Sequence, residues 1–300
     1  MNILSIEFRK NWSWGLTFDA MQNISEHNIK RVFMDDKDKI PENGYDVVLG
    51  QNVTLLKRFK ERLRTLCRLG GNYNFDKMDG IEPLLDEMAK CHALIATNKK
   101  LYEIAKSVNP NTYLIPNGID LNEWKQPTVF YGRKFTVGFC ANISTDHYRL
   151  YKGYDFVSKA CANLGFELKT ALYNNKQIPH EEMQRRFYHV IDVLVHPTLG
   201  EGSSSCLMEA CACGVPIITT REAGFHGELM QDMVDVLFCE RTVASIQSKL
   251  LLLRTDSALR MFLGGNARKF AEQHHDVKKI ALQYEQIFQE CYDYNKNIGE

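Results

Sequence analysis

The sequence predicts an α/β protein of two doubly wound domains, each a parallel sheet with helices on both faces. The first observation is that short apolar runs alternate with amphipathic segments along the whole chain. The second is that this alternation is interrupted around residues 122–134 and then restarts, which indicates two series of strands and helices. The third is the length of 300 residues, which allows about 150 residues for each domain to bury its own core.

The first series contains apolar runs that we predict to be strands, at residues 2–8, 31–34, 45–49, 64–69, 93–97 and 112–115. Segments between them space their apolar residues as helices do, for example 15–26 and 81–90. Strands joined through helices pair in parallel, because the crossover returns the chain to the same end of the sheet. The first domain is therefore predicted to be a parallel sheet covered by helices.

The second series contains the predicted strands 135–140, 166–171, 192–196, 215–219 and 236–239, and from Thr242 onward the chain is mostly helical. Pro127 and Gly132 interrupt the pattern between the two series. We therefore predict domains at residues 1–125 and 126–300, with the C-terminal helices in the second. Ligands of open parallel sheets bind beyond the carboxyl ends of the strands, so we expect the functional residues in the loops that follow them.

Composition and charge exclude several classes of protein. Apolar residues make up 44% of the chain and charged residues 25%, as in ordinary globular proteins. The 37 basic and 37 acidic residues cancel, which argues against a surface coated in positive charge for unselective nucleic-acid binding. No sequence of the G-x-G-x-x-G type follows the first strand and no G-x(4)-G-K-[ST] occurs, which disfavours a dehydrogenase and a P-loop kinase.

The sequence also bears on the compartment. No apolar run approaches the ~20 residues of a membrane-spanning helix, and charges interrupt the first apolar run, unlike a signal peptide. The nine cysteines include no C-x-x-C pair, which fits buried thiols in a reducing compartment better than a disulfide framework or a zinc site. We therefore expect a cytoplasmic protein.

The most informative segment carries two glutamates eight residues apart. A predicted strand ends at His196, Glu201 follows between two glycines, and a helix that contains Glu209 starts among the serines at 203–205. Serines are favoured helix caps, and the free N–H groups of a helix start bind anions. A capped helix with a solvent-facing glutamate is the plain structural alternative. The glycines and the Gly-x-Pro sequence that ends the helix at 214–216 favour a ligand site.

The spacing of the two carboxylates suggests the shape of the ligand. Eight residues of helix would separate them by ~12 Å, whereas the two carboxylates of a glycosidase lie ~5 to 9.5 Å apart. The arrangement suits two contacts at different ends of a long ligand, with an anion bound between them at the helix start. A nucleotide diphosphate sugar has that form, with sugar hydroxyls, a diphosphate and ribose hydroxyls in sequence.

The pattern E-G-x(6)-E followed by A-x-A-C-G-x-P resembles the donor-site signature of retaining GT-B glycosyltransferases of the large family 4 type. That family includes sucrose synthase and many bacterial mannosyl- and glucosyltransferases. Four further segments resemble parts of the family in family order: 114–120 (LIPNGID), 137–139 (VGF), 152–155 (KGYD) and 192–197 (DVLVHP). The resemblance covers most of residues 92–225. It implies the GT-B fold, in which two Rossmann-like domains face each other across a cleft.

The resemblance also implies roles for single residues. Glu201 would contact the transferred sugar, Lys152 the diphosphate and Glu209 the ribose hydroxyls. The backbone of Gly202, Ser203 and Ser204 would complete a cradle for the phosphates, and residues 171–178 would flank the base. Glu201 and Lys152 would be the catalytic pair, since a cation is needed where negative charge grows on the leaving nucleotide. A surface lysine before a turn is the plain alternative for Lys152.

The sequence departs from the family pattern in two places. The family usually has an arginine a few residues before the lysine, where this chain has Ala141 and Asn142; Arg149, His147 or Arg133 are candidate substitutes. Many relatives also have a first-domain histidine near the reacting carbon. The comparable loop at residues 68–73, which includes Asn72, has none. We assign Asn142 and Arg149 to the donor and Asn72 to the acceptor as expectations.

Two basic clusters bear on the acceptor. The loop after the first strand carries the side chains Arg9, Lys10, Trp12 and Trp14, a combination that grips phosphates and stacks on bases or sugars. Packing of the two tryptophans against the next helix explains them equally well. Residues 57–64 are rich in lysine and arginine around an apolar helical face, which fits contact with anionic lipid or a nucleic acid, with a solvated helix as the plain alternative. The D-x-D of Asp36 and Asp38 indicates a solvated turn rather than a metal site.

The expected activity is retaining transfer of a sugar from a nucleotide diphosphate sugar, with a UDP- or GDP-sugar as donor, to an acceptor hydroxyl. The acceptor would be a cell-surface or lipid-linked glycan, or a hydroxymethylated base in DNA. We expect no metal, no further cofactor and no obligate protein partner. The alternatives are a nucleotide-sugar epimerase or a sugar phosphorylase of the same fold, and a non-catalytic nucleotide-sugar-binding protein.

Overall fold

A computed structural model describes residues 1–7, 13–33, 40, 43–51, 53–57, 59, 64–70, 82–127, 134–172 and 178–298. The chain forms two compact units. Unit 1 comprises Met1–Gly118 together with Val277–Glu300, and unit 2 comprises Ile119–Asp276. Each unit has its own parallel sheet and its own core.

The sheet of unit 1 has the strand order β2-β1-β3-β4-β5-β6, and every pair is parallel. Its strands are β1 (Asn2–Glu7), β2 (Asn28–Phe33), β3 (Val47–Gly50), β4 (Thr65–Leu69), β5 (Ala93–Ala96) and β6 (Thr112–Leu114). Its first helices are α1 (Ser13–Gln22), α2 (Val53–Leu56), α3 (Glu82–Ala89) and α4 (Lys99–Lys106). The central strands are buried along nearly their whole length, which explains why they read as continuous apolar runs in the sequence.

The sheet of unit 2 has the strand order β11-β10-β9-β7-β8, again entirely parallel. Its strands are β7 (Thr136–Ala141), β8 (Glu167–Leu172), β9 (Val193–His196), β10 (Ile217–Thr219) and β11 (Leu237–Phe238). Its helices are α5 (Asp146–Lys152), α6 (Tyr154–Leu164), α7 (His180–Arg186), α8 (Ser205–Ala212), α9 (Phe225–Leu229), α10 (Val243–Thr255) and α11 (Ser257–His274), with a 3-10 turn at Tyr188–Val190. All the strands predicted for both series are present, with ends that differ by at most three residues.

Alternate residues of β9 enter two apolar clusters, one on each face of the sheet. Leu194 belongs to one cluster, whereas Val193 and Val195 belong to the other. The sheet is thus buried on both faces, as a doubly wound fold requires.

The topology of unit 2 marks where a ligand can bind. β7 pairs with β8 on one side and with β9 on the other, so the chain leaves β7 and β9 in opposite directions. Such a reversal opens a crevice at the carboxyl ends of the two strands. Cys140 and Asn142 lie at the end of β7, and His196 is the last residue of β9.

The last helix, α12 (Val277–Ile298), belongs to unit 1. Its apolar residues recur every three or four positions, and Val277, Ile280, Tyr284 and Phe288 are buried in one cluster with Ile3 of β1. The units divide after Gly118 and after Asp276, whereas the sequence placed the boundary after residue 125 and the C-terminal helices in the second domain. An apolar stripe predicts that the helix is buried on that face, but it does not indicate which of the two sheets the helix packs against.

Among the described residues, no helix combines the length and the apolar character needed to cross a membrane. The same residues contain no group of three or more His, Cys, Asp or Glu side chains placed to hold a metal ion.

Candidate functional site

The loop between β9 and α8 carries Glu201 and is held by backbone packing. Phe225, at the start of α9, donates its N–H to the carbonyl of Gly202 at 2.9 Å. Gly224 has a φ of +60°, and a Cβ there would lie 2.2 Å from the carbonyl oxygens of both Glu201 and Gly202. Only glycine fits this position, so the segment before α9 clamps the loop.

Lys152 is placed by the turn between α5 and α6. Gly153 ends α5 in the left-handed conformation, with a φ of 72°, and a Cβ there would lie 2.6 Å from the carbonyl oxygen of Pro197. Arg241 donates from Nε to the same Pro197 oxygen at 2.8 Å and from Nη2 to the carbonyl of Leu150. These contacts hold the end of α5 against the loop that follows β9.

Lys152 and Glu201 form an ion pair, with side chains 16% and 15% exposed. Nζ of Lys152 donates to Oε1 of Glu201, and Nε2 of His196 lies 2.8 Å from the same oxygen. Burial acts to raise the pKa of Glu201, but the charge of Lys152 and the contact with His196 outweigh it and lower this pKa to about 2. Glu201 is therefore a carboxylate that accepts hydrogen bonds at neutral pH.

Glu209 lies two turns into α8 and is only 5% exposed. The hydroxyl of Tyr188 donates to its Oε2 at 2.8 Å, and Nε2 of His180 lies 3.1 Å from its Oε1. The imidazole of His180 packs against Trp124, with 5.5 Å between ring centroids. Both oxygens of the carboxylate are thus fixed in orientation by neighbouring rings.

The start of α8 differs from the expected serine cap. Ser204 occupies the N-cap position with extended backbone angles, but its side chain makes no capping hydrogen bond. Its hydroxyl lies 3.3 Å from Sγ of Cys206 instead. Ser203 and Ser204 are both buried. The side chain of Ser204 therefore does not cap α8, and the N-terminus of a helix attracts anions.

A chain of polar side chains joins the two glutamates. Nδ1 of His196 lies 3.5 Å from Sγ of Cys206, and the hydroxyl of Tyr188 lies 3.3 Å from the carbonyl oxygen of Cys206. We call this set the Glu201–Glu209 network; in order, its members are Glu201, His196, Cys206, Tyr188 and Glu209. A change at one glutamate can therefore reach the other through hydrogen bonds.

Arg149 and Asn142 lie apart from this network. The guanidinium of Arg149 forms a fork with the carboxylate of Asp155, with Nη2 2.5 Å from Oδ1, and lies over the ring of Tyr154. Oδ1 of Asn142 accepts from the backbone N–H of Ser144 at 3.0 Å, which closes a local turn after β7. Arg149 is half exposed and paired with Asp155, so its assignment to the donor stays a prediction.

Several predicted residues lie outside the part of the chain that the structure describes. They are Arg9, Lys10, Trp12, Asp36, Asp38 and Asn72. Trp14 falls within α1, but its side chain is not described either. Of the second basic cluster, Lys57 pairs with Glu87 at 3.5 Å, and Phe59 is buried. The acceptor residues proposed from the sequence stay predictions.

The sequence did not single out four members of the site. His196 ends a predicted strand, a position where functional residues concentrate, and Cys206 directly follows the serines of the predicted helix start, so their place in the pattern was a usable signal. Tyr188 lies in a 3-10 turn before β9, and nothing local distinguishes it from a core tyrosine. His180 is the first residue of α7, and nothing in its local sequence indicates that the structure brings it to Glu209.

Residues 139–256 match the family model described as glycosyl transferases group 1. This range contains Lys152, Glu201 and Glu209, so the site lies within the matched segment. This part of the chain is therefore similar to the group 1 glycosyltransferases.

Curated relatives match over similar lengths. The capsular polysaccharide biosynthesis glycosyltransferase CapM of Staphylococcus aureus is 29% identical over 111 residues, which is 37% of this chain and 29% of CapM. The uncharacterized glycosyltransferase MJ1178 of Methanocaldococcus jannaschii is 29% identical over 108 residues, 36% of this chain and 30% of that protein. The matched region spans less than a third of the length of these relatives.

Solved structures match nearly the whole chain. HepE of Anabaena, in complex with UDP and glucose, superimposes with a TM-score of 0.75 at 14% identity and covers 97% of this chain and 100% of its own. Sucrose-phosphate synthase of Thermosynechococcus elongatus superimposes with a TM-score of 0.76 at 14% identity and covers 98% and 100%. The chain has the GT-B fold with two Rossmann-like domains, which confirms the fold class predicted from the sequence.

Proposed function

We propose that the protein is a glycosyltransferase that binds a nucleotide diphosphate sugar on unit 2 and transfers the sugar, with retention, to an acceptor hydroxyl. One observation carries the proposal. Glu201 pairs with Lys152 and contacts His196, whose Nδ1 lies 3.5 Å from Cys206 in the first turn of α8, and Glu209 lies further along the same helix. This order of cation, carboxylate, anion-binding helix start and second carboxylate suits a sugar, a diphosphate and a ribose in line.

The diphosphate is assigned to Lys152 and the N-terminus of α8. Cleavage of the sugar–phosphate bond leaves additional negative charge on the nucleotide, and a nearby cation stabilises that charge as it develops. The N–H groups and the dipole at the helix start add to this effect. Lys152 is mostly buried, which strengthens its electrostatic effect compared with an exposed lysine.

The transferred sugar is assigned to Glu201. Since the pKa of this carboxyl is about 2, it accepts hydrogen bonds from sugar hydroxyls and cannot serve as a proton donor near neutral pH. In retaining transfer the departing phosphate oxygen can take the acceptor proton, so a protein base is not required. A permanently ionised carboxylate beside the sugar fits that chemistry.

The ribose is assigned to Glu209. A carboxylate whose two oxygens are held by Tyr188 and His180 retains lone pairs for two vicinal hydroxyl groups. Because the rings fix the carboxylate before the ligand arrives, little side-chain freedom is lost on binding. A ribonucleotide is therefore expected to bind more tightly than its 2′-deoxy counterpart.

We propose a UDP-sugar as donor and a glycan hydroxyl as acceptor. The first is supported by HepE, whose structures contain UDP and UDP-glucose, and the second by CapM, which acts in capsular polysaccharide biosynthesis. A hydroxymethylated base in DNA is the alternative acceptor, to be compared with the glycan. We place the reaction in the cytoplasm, which suits a chain whose nine cysteines are all free.

The test is thermal unfolding of the protein with UDP-, GDP-, ADP- and dTDP-glucose. A donor at ~100 times its Kd should add ~2.7 kcal/mol to the free energy of unfolding. We expect this stabilisation for UDP-glucose and its loss in Lys152→Ala. Lys159→Ala, which removes an exposed lysine of the neighbouring helix α6, is the matched control and should keep it.

Product analysis completes the test. Incubation of the donor with glycan acceptors should yield a product whose anomeric configuration, measured by NMR, matches that of the donor. Isomerised donor in the absence of acceptor would indicate an epimerase instead. If no nucleotide sugar stabilises the protein, the proposal is wrong.

A further inference from the structure

His196 is a buried side chain in direct contact with Glu201. It is the last residue of β9 and is 1% exposed. Its Nε2 lies 2.8 Å from Oε1 of Glu201, and its Nδ1 lies 3.5 Å from Sγ of Cys206. Neither the sugar, the diphosphate nor the ribose of the proposed donor is assigned to this imidazole, so its contact with Glu201 needs its own explanation.

The sheet fixes the position of His196. Its carbonyl accepts hydrogen bonds from the hydroxyl of Thr219 at 2.6 Å and from the backbone N–H of Thr198 at 2.9 Å. Thr219 belongs to the neighbouring strand β10 and is in register with His196. Glu201 lies in the loop that follows β9, and side chains on strands are held more precisely than side chains on loops. The imidazole is therefore a fixed point against which the carboxylate of Glu201 is placed.

The hydrogen between these two side chains belongs to His196. Although Glu201 is buried, the charge of Lys152 and the contact with His196 hold the pKa of this carboxyl at about 2. An ionised carboxylate can only accept hydrogen bonds. Nε2 of His196 therefore carries a hydrogen and donates it to Oε1, whether or not Nδ1 is protonated as well.

Lys152 has two anions to serve in the proposed reaction. It donates to the same Oε1 of Glu201, and the diphosphate of the donor is assigned to it as well. An ammonium group has three hydrogens, and those that turn to phosphate oxygens are lost to Glu201. His196 is buried and fixed in β9, so its hydrogen bond to Glu201 remains when the donor binds.

We propose that His196 is a positioning residue whose Nε2–H holds the Glu201 carboxylate in place for the transferred sugar while Lys152 engages the diphosphate. This role rests on the proposed function, because it assumes that Glu201 contacts the sugar. His196 acts through Glu201 and does not touch the donor. Its loss should therefore weaken recognition of the sugar and slow transfer, but leave binding of the nucleotide alone nearly unchanged.

Two variants separate the hydrogen bond from the packing of the ring. His196→Gln keeps a donor, because the amide nitrogen of glutamine can take the place of Nε2, whereas His196→Leu fills space but donates nothing. Calorimetry gives the Kd of UDP and of UDP-glucose for each. In His196→Leu we expect the Kd of UDP-glucose to rise about tenfold, as for a hydrogen bond to a charged group, and that of UDP to change less than about twofold. In His196→Gln both should stay within about threefold of wild type.

Transfer kinetics provide a second comparison of the same variants. At saturating UDP-glucose, kcat should fall about tenfold or more in His196→Leu and stay within about threefold of wild type in His196→Gln. Circular dichroism checks that both variants fold. A side chain that only packs the core would not be replaced by an amide, so equal losses in the two variants would overturn the proposal.

A double-mutant cycle tests whether His196 acts through Glu201. Glu201→Ala removes the acceptor of the hydrogen bond, so adding His196→Leu to it should change the Kd of UDP-glucose by less than about twofold. Independent effects would multiply instead. A further tenfold loss in the double variant would show that His196 acts elsewhere.

Nitrogen-15 NMR of labelled histidine tests the hydrogen bond in the wild-type protein without any ligand. At pH 7.5 we expect Nε2 of His196 to be protonated and its signal to shift in Glu201→Ala. An unprotonated Nε2 at this pH would overturn the proposal, even if His196→Leu did not fold.

The same measurements separate this inference from the proposed function. If the wild-type protein binds no nucleotide sugar, the proposed function fails and the role of His196 fails with it, although the NMR result stands. If the wild-type protein binds UDP-glucose but His196→Leu weakens UDP and UDP-glucose equally, the role of His196 alone is refuted.

Discussion

Two histidines of unit 2 are buried to the same extent, but their pKa values are shifted in opposite directions. His196 is 1% exposed and His226 is 0% exposed. Burial acts to lower both pKa values, but the Cys206 sulfur and the Glu201 carboxylate raise that of His196 to about 9. For His226, burial and the neighbouring His275 both act downward and leave the pKa well below its usual range.

The difference lies in the neighbours. Nε2 of His226 lies 3.1 Å from Nε2 of His275, and their rings stack with 4.9 Å between centroids. Phe225 and Phe270 pack around the pair, and Nδ1 of His226 has no hydrogen-bond partner among the described residues. This is an apolar environment that keeps the imidazole neutral. Burial alone therefore does not mark a functional histidine; the charged groups around it do.

The largest expected effect comes from removing the carboxylate of Glu201, the charge that distinguishes the surroundings of His196 from those of His226. Glu201→Gln keeps the size of the side chain but removes the carboxylate that faces Lys152 and His196. We expect sugar transfer to fall by ~10² to 10³-fold, the usual cost of losing one electrostatic contact to the reacting group. The measurement is kcat/KM with UDP-glucose and a glycan acceptor.

The control for this variant is Glu182→Gln, an exposed ion-pair partner of Arg185 and Arg186 on α7. It should change kcat/KM by less than about twofold, since exposed ion pairs contribute little. Equal losses in the two variants would show that Glu201 has no special role.

The second prediction concerns the stability of the protein in acid. Below pH ~6.5 the unfolded chain protonates His226, whereas the folded protein keeps it neutral. The free energy of unfolding should therefore decrease as the pH falls, by up to ~1.4 kcal/mol per pH unit for one proton. His226→Gln should show a shallower decrease between pH 6.5 and pH 5 in urea denaturation.

Glu201 does not contribute in that pH window. Its folded pKa of about 2 lies below the unfolded value, so its stabilisation is fully present above pH ~4.5 and is lost only as the pH falls towards 2. His147→Gln, which removes an exposed histidine of α5, is the control variant. Identical acid slopes in wild type and His226→Gln would contradict the assignment.

The third prediction tests why His196 differs. Nitrogen-15 NMR of labelled histidine should show His196 protonated up to about pH 9, with His226 neutral at pH 5.5. Cys206→Ser removes the sulfur that lies 3.5 Å from Nδ1 of His196 and should lower the pKa of His196. A wild-type His196 that titrates near pH 6.5 would remove the basis of the comparison.

The smallest expected effect lies at the far end of the network. Tyr188→Phe removes the hydroxyl that donates to Glu209 at 2.8 Å and should weaken UDP binding by about 1 kcal/mol, or roughly fivefold. Calorimetry with UDP and 2′-deoxy-UDP checks whether the loss arises at the ribose contact, because the preference for UDP over 2′-deoxy-UDP should then be smaller in Tyr188→Phe than in wild type. An unchanged preference would separate Tyr188 from the ribose contact.

Much of the molecule follows from local sequence. The strands of both sheets were predicted because a strand buried on both faces is an uninterrupted apolar run. Lys152, Glu201 and Glu209 were predicted as a site because their spacing around Gly202 and Gly153 resembles a known signature. The fold class followed from the same alternation of strands and helices.

The partners of these residues were decided by the tertiary structure. Tyr188 and His180 reach Glu209 from positions 21 and 29 residues earlier in the chain, and Arg149 pairs with Asp155. The helix α12 carries an apolar stripe that either sheet could cover, and it packs in unit 1. Apolar periodicity and turn residues act over a few neighbours in the chain, so sequence determines elements and their order. Hydrogen bonds and ion pairs join distant segments, and only the folded chain decides which of them meet.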